Sequence, residues 1–290
     1  MPSARAGQTN DAQNLACIYQ FRRRKVSSGE EHVLTRDARM CARDGHIPMT
    51  CHIRHIPCFI DQLFPQTAQH TFSILEKLGC KVEYNDNQTC CAQPAFNAGF
   101  WDEAKVVAQK FINDFPDSMY IVSPSGSCVG MVKSSYSELF TNSASHNKCR
   151  SIQQNIFELS DFLINVLKVE NIGAHFPHKV TYHDACGALR ECGIKESPRT
   201  LLKNVQGLEL IEVDDCETCC GFGGTFAVKF EAISTAMAEQ KVLNAIQTGA
   251  EYIVSTDISC LMHMQAYIDK NELPIKTIHI VDVLATCLSN

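Results

Sequence analysis

Two adjacent cysteines followed by a glycine-rich turn, Cys219-Cys220-Gly221-Phe222-Gly223-Gly224, make a poor hydrophobic core and a good cradle. Glycine has no Cβ, so backbone N–H groups there can approach a bulky inorganic core and point at its sulfurs. A second adjacent pair, Cys90-Cys91, stands earlier in the chain. Further single cysteines flank each pair at long range. Cys58 is followed 32 positions later by Cys90-Cys91, and Cys128 comes 37 positions after Cys91. Cys186 is followed 33 positions later by Cys219-Cys220, and Cys260 comes 40 positions after Cys220.

Each set offers four thiols from three separate loops. Four thiolates are the usual holders of an iron–sulfur cluster. Zinc also accepts four, but structural zinc sites favour short knuckles of closely spaced cysteines, which these spacings lack. Cys216 and Cys219 do form such a spacing, yet nothing in the earlier set repeats it, so Cys216 reads as structural. Isolated buried cysteines pack cores as small apolar residues. Eight of them in duplicated register ask for a ligand instead, and a vicinal disulfide at either pair is the remaining minor reading.

The elements around these cysteines alternate strand and helix. In the first half, strands are expected at His52–Pro57, Lys81–Tyr84, Met119–Ser123 and Ile156–Leu159. Helices are expected at Phe64–Leu78, Phe100–Phe115, from Cys128 through Phe140, and at Ser160–Leu167. In the second half, strands fall at Lys179–His183, Leu208–Val213, Tyr252–Ser255 and Ile275–Ile280. A long helix Phe226–Thr248, one opening at Cys260, and Val281–Leu288 follow. The closing segments also correspond, Ile156–Leu163 in one half and Ile278–Leu284 in the other. This order implies an α/β fold of two tandem pseudo-repeats with parallel sheets. The boundaries are residues 49–173 and 174–290. Ligands in such folds gather at the carboxyl ends of strands, where the cysteines fall, so the halves are expected to face each other across a shared cleft.

With 290 residues, 45% hydrophobic and 20% charged, the chain can bury a real core. A net charge of −6 gives no reason to expect nucleic acid as a partner. No apolar run reaches the roughly 18 residues needed to span a bilayer. Sixteen cysteines without a secretory signal point to metal or redox chemistry in a reducing, cytoplasmic setting. Residues 1–48 are polar, carry the basic run Arg22-Arg23-Arg24-Lys25, and lack apolar periodicity. They read as a disordered extension or as residues upstream of the true start, with Met49 just before the first strand. Cys17, Cys41 and Cys51 are weak candidates as ligands.

The pattern resembles the cysteine-rich CCG repeat shared by heterodisulfide reductase and the glycolate oxidase iron–sulfur subunit, and above all the lactate-utilisation protein A family. The resemblance is carried by Pro57–Pro65, Thr89–Asn97, Pro124–Cys128, Tyr182–Cys186, Cys219–Phe226 and Cys260-Leu261-Met262. It runs from about residue 52 to the end. It implies an iron–sulfur oxidoreductase subunit, with a [4Fe-4S] cluster in each repeat held by Cys58, Cys90, Cys91 and Cys128 and by Cys186, Cys219, Cys220 and Cys260. It implies electron transfer during oxidation of L-lactate to pyruvate, with two further lactate-utilisation subunits, one of them ferredoxin-like. Two departures stand out. The fuller repeat, as in heterodisulfide reductase, ends in a second closing cysteine, and here Ser125 and Asp257 occupy those places, which favours an ordinary four-thiolate cluster over a noncubane one. Ala92 also replaces the glycine after the first pair, which predicts a looser wrap there.

No glycine fingerprint of a nicotinamide or flavin site opens a helix after a strand. Lactate oxidation needs a base for the hydroxyl proton. His183, three residues before Cys186, is the candidate, with His55 before Cys58 as its weaker counterpart; both also suit a supporting place behind a cluster. Lys133 and Lys229 are candidates for attracting a carboxylate, against the plainer reading of solvated helix lysines. The alternatives are a thiol–disulfide oxidoreductase of the heterodisulfide type and a metal-stabilised docking subunit.

Overall fold

The computed structural model describes residues 55–115, 120–141 and 144–288; the extension 1–48, with Cys17 and Cys41, and also Cys51 lie outside them. Parallel strands and covering helices alternate along the described chain. In the first half, β1 (Ile121–Ser123) pairs with β2 (Ile156–Glu158). In the second half, β3 (Lys179–Tyr182), β4 (Glu209–Leu210), β5 (Tyr252–Ser255) and β6 (Lys276–His279) form one sheet in the order β4-β3-β5-β6, every pair parallel. Neighbouring residues of β5 serve opposite faces: Val254 belongs to one apolar core and Ile253 to another. Such two-sided burial is why these strands read as continuous apolar runs.

Three sequence expectations are corrected. Lys81–Tyr84 forms no strand: Lys81 and Glu83 pair with each other at 3.1 Å toward solvent and Val82 packs on the core, but none of the described strands pairs with the segment. Of His52–Pro57, residues 55–57 are irregular and the rest lie outside the described residues. The expected helix Phe226–Thr248 is also divided, into Phe226–Lys229 and Glu231–Gln247, with Phe230 at φ −129° between them. The short piece is tied back to the glycine turn, where Phe226 N–H donates to Gly223 O and Ala227 N–H to Phe222 O.

The first half's helix Pro65–Lys77 has proline at its first position and stops at Gly79, whose φ of +83° suits only glycine well. It lies on the last helix of the second half, Ile280–Leu284. Thr67 Oγ1 donates to Asp282 Oδ2 at 2.9 Å, His70 Nδ1 lies 2.9 Å from Asp282 Oδ1, and Lys77 Nζ donates to Cys287 O at 2.7 Å. The exchange is reciprocal. The second half's helix Glu196–Lys203 packs on Leu159–Asp161 and the wider π turn Phe162–Val166 of the first half. One core therefore holds Ile74 and Leu75 with Val281 and Leu284, and Leu201 and Leu202 with Leu159 and Phe162.

The halves touch where their cysteine-bearing segments meet, Gly126–Gly130 against Gly187–Glu191. A Cβ on Gly126 would stand 2.4 Å from the Ala188 Cβ, and one on Gly187 would stand 2.7 Å from the Ser127 Cα. Both contacts are closer than carbon atoms can pack, so glycine is what lets the two backbones approach. Among the described residues, no helix is long and apolar enough to cross a membrane.

Candidate metal centres

Each cysteine of the first set is delivered by a different local device. Cys58 opens the helix Cys58–Leu63 after Pro57. Cys90-Cys91 precede Ala92, whose φ of +73° turns the chain into the helix Gln93–Asn97. Cys128 lies in the helix Gly126–Gly130 beyond the carboxyl end of β1, where the capping Ser125 Oγ accepts its N–H at 3.3 Å. The second set follows the same plan. Cys186 leads the turn Gly187–Glu191 after β3, Cys219-Cys220 precede Gly221 at φ +90°, and Cys260 lies in the helix Ile258–Lys270 after β5. Asp257 caps that helix, accepting the Ser259 N–H at 3.2 Å.

The eight thiols come together as two sets of four. Cys90 is hydrogen-bonded to Cys58 and Cys91, and Cys91 in turn to Cys128. Cys219 is hydrogen-bonded to Cys186 and Cys220, and Cys220 in turn to Cys260. These contacts hold the Cys90 and Cys219 thiols well below the usual thiol range, through hydrogen bonds from their neighbours. They push Cys58, Cys91, Cys186 and Cys220 up, with burial adding to the effect. So many thiols in contact cannot all ionise without a cation among them, and a metal centre would supply one. Cys91, Cys128, Cys220 and Cys260 are buried, while Cys58 is exposed and Cys90, Cys186 and Cys219 stand between, so each set has an inner and an outer side. None of the described cysteines forms a disulfide.

The donor set fits an iron–sulfur cluster in two further respects. The Gly221 N–H donates to the Cys219 Sγ at 3.4 Å, the kind of amide-to-sulfur bond that stabilises a cluster thiolate. A Cβ on Gly221 would stand 2.6 Å from the Ser234 carbonyl oxygen, so the turn after Cys220 admits glycine alone without rearrangement.

Two buried histidines back the two sets. Burial holds both imidazoles well below their ordinary value, His55 at about 4 and His183 at about 3. His55 Nδ1 is hydrogen-bonded to Ser123 Oγ at 3.0 Å, and its ring meets Phe111 edge-on with centroids 5.0 Å apart. His183 differs. Neither ring nitrogen has a hydrogen-bond partner among the described residues, and one lies within 4.8 Å of the sulfurs of Cys220 and Cys260.

Cys216 stays outside the second set; its carbonyl accepts from the Asp184 N–H and from Lys241 Nζ, both at 3.1 Å. Lys133 Nζ sits 4.9 Å over the Phe157 ring, and Lys229 is exposed. The residues that sequence reading passed over are Lys241, only 5% exposed, and the link between the closing turns. Ser125 Oγ donates to Asp257 Oδ2 at 3.2 Å, and the Ser127 N–H donates to the same oxygen at 2.8 Å. The two places where a fuller repeat carries its additional cysteine thus bond to each other. Their shared position in the duplicate was the one available signal.

Known proteins share the duplicated cysteine-rich domain. The CCG cysteine-rich domain family matches residues 53–133 and 180–265. Lactate utilization protein A of Halalkalibacterium halodurans is 42% identical over 230 residues, 79% of this chain and 94% of that protein. Its namesake from Exiguobacterium is 42% identical over 232 residues, with the same coverage of each chain. The crystal structure of a hypothetical protein from Helicobacter pylori covers 99% of this chain with a TM-score of 0.60 and 9% identity. This chain spans 55% of that one, and the likeness is one of fold alone.

Proposed function

We propose a function from one premise: the chain belongs to the lactate utilization protein A family and carries two CCG cysteine-rich domains. In this reading it is the iron–sulfur electron-transfer subunit of a multicomponent system that oxidises L-lactate to pyruvate. The observation that carries it is the convergence of eight cysteines as two equal sets of four, each linked by sulfur contacts in the same order.

Cys58, Cys90, Cys91 and Cys128 would hold one [4Fe-4S] cluster, and Cys186, Cys219, Cys220 and Cys260 the other. Such a cluster, when bound, takes up and releases single electrons. The chain's own part is to exclude water from the inner side of each set and to leave the outer side open. Cys58, at the exposed rim of the first set, marks where a redox partner comes nearest. The partners in this reading are two further lactate-utilisation subunits, one ferredoxin-like, acting together in the cytoplasm. The sealed position of His183 suits support of the second centre better than proton exchange with lactate.

A thiol–disulfide reductase of the heterodisulfide type needs a sulfur at the closing turns. Ser125 and Asp257 stand there, bonded to each other, which weighs against that chemistry. A docking subunit held by zinc would lack a redox-active spectrum. The deciding experiment is anaerobic purification with iron and sulfide analysis and EPR, for the wild type and for Cys91→Ser and Cys220→Ser separately. Each substitution is expected to remove one cluster and leave the other. Unchanged iron in both variants, or zinc in place of iron, would overturn the reading.

A further inference from the structure

We propose that His183 donates a ring N–H hydrogen bond to a sulfur of the second centre and thereby makes that centre the one of higher reduction potential. The inference rests on the cluster reading above and assigns a difference between two centres that the duplication alone would make equal.

The residues around the two histidines correspond one to one, and their hydrogen bonds do not. Ser123 and Ser255 each end a strand, opposite Glu158 and His279 in the respective ladders. Ser123 Oγ engages His55 Nδ1 at 3.0 Å, so of that ring only Nε2 lacks a partner among the described residues. Ser255 Oγ instead donates to the backbone carbonyl of His183 at 2.9 Å, which leaves the His183 ring unengaged. That ring is 2% exposed, has both nitrogens without a hydrogen-bond partner among the described residues, and has one within 4.8 Å of the Cys220 and Cys260 sulfurs. A buried ring nitrogen left without a partner is destabilising. Sulfur is the neighbour on hand to relieve it. Four cysteines already supply one ligand to each of a cluster's metals, so the fifth donor serves best as an N–H to sulfur. Either neutral tautomer has one N–H to give.

A second difference acts in the same direction. The helices Trp101–Asp114 and Glu231–Gln247 each begin one residue after a phenylalanine, Phe100 and Phe230. Aligned on that start, Phe111 of the first half stands where Lys241 stands in the second. Phe111 packs on His55, whereas Lys241 is buried and interacts electrostatically with His183 and Cys220. Hydrogen bonds to sulfur and nearby positive charge both favour the reduced, more negative state of a cluster. The second centre therefore holds an electron in preference to the first.

The test is an EPR-monitored redox titration of the full chain carrying both clusters, as wild type, His183→Phe, His183→Asn and His55→Phe. Pulsed EPR on the wild type reads nitrogen coupling to the second-centre signal, which Cys220→Ser identifies. The wild type is expected to titrate in two steps, with the second centre reduced first and showing a weak nitrogen coupling. His183→Phe should move that step to more negative potential and remove the imidazole coupling, leaving only that of the Gly221 amide. His183→Asn, which keeps an N–H, should restore part of the shift, and His55→Phe should leave the step in place. Clusters present with no imidazole coupling in the wild type, or a midpoint indifferent to His183→Phe, would overturn the inference and spare the cluster reading. If His183→Phe cannot keep its second cluster, the wild-type coupling and the asparagine midpoint decide. An iron-free wild type would overturn both readings together.

Discussion

The turn after Cys91 and the turn after Cys220 follow the same left-handed path with different residues. Ala92 sits at φ +73° and Gly221 at φ +90°. An alanine in that region is strained by about 1–2 kcal/mol, and the first half carries it, fully buried. The second half could not, because the Ser234 carbonyl stands where a Cβ would go, and Ser234 Oγ in turn donates to Gly221 O at 2.8 Å. A duplicated motif can thus drift at a position whose neighbour has stayed small and is held where the neighbour has closed in. The same lesson holds behind the cysteines, where Phe111 faces Lys241 across the repeat and Glu158 faces His279.

Substitutions that press on this asymmetry should differ in size. The largest effect is expected for Gly221→Ala, which adds backbone strain to a backbone clash. A loss of about 3–5 kcal/mol should appear as a lower midpoint in anaerobic denaturant unfolding. A loss under about 1 kcal/mol would mean that Ser234 yields freely and that the two turns are equivalent after all.

Next comes the bond between the closing turns. Asp257→Ala removes a buried acceptor shared by Ser127 N–H and Ser125 Oγ and the cap on Ser259 N–H. It should cost about 3 kcal/mol, against about 1 kcal/mol for Ser125→Ala. Equal losses would show that the two halves share the link evenly.

Glu158 and His279 form the third contrast. Both are buried, and both cap the helix that follows: Glu158 accepts the Ser160 N–H at 2.8 Å and His279 Nδ1 accepts the Val281 N–H at 3.2 Å. Burial raises the Glu158 carboxyl to about 7 and lowers His279, so the fold favours the neutral form of each. For Glu158 the folded value exceeds the unfolded one. Its contribution is complete below the ordinary carboxylate value and is lost as pH rises toward about 7. For His279 the folded value is depressed, so its contribution is present above the ordinary imidazole value and is lost as pH falls. Glu158→Gln should remove a decline of about 2–3 kcal/mol between pH 4.5 and 7, measured as unfolding free energy against pH. An unchanged slope would place the titration elsewhere. The smallest effect is expected for Ala92→Gly, a gain of about 1 kcal/mol from relieved strain. A loss would show that the alanine methyl contributes more by packing than its conformation costs.

The α/β class, the parallel strands and the grouping of Cys58 with Cys90, Cys91 and Cys128 could all be read from residue order. Adjacent cysteines are rare, and repeating them in register with strands and helices leaves few arrangements open. What escaped depends on contacts between residues far apart in the chain. Lys241 lies on a helix where lysines are usually solvated; only the packed fold shows its ammonium turned onto the carbonyls of Asp215 and Cys216. Asp257 looked like a missing cysteine, and its partner Ser125 lies 132 positions away. Lys81–Tyr84 had strand-like composition, but whether a short extended segment finds a ladder partner is settled by its neighbours.

The crossed placement of the helices Pro65–Lys77 and Glu196–Lys203 has a consequence for how the molecule is made. As the chain leaves the ribosome, Pro65–Lys77 cannot complete its packing until Ile280–Leu284 has emerged, since Thr67 and its partner Asp282 lie 215 positions apart. The early-synthesised half must wait for the later one, its thiols reachable meanwhile by whatever delivers iron and by oxygen alike. A helix made late in the second half is the one that locks a helix made early in the first.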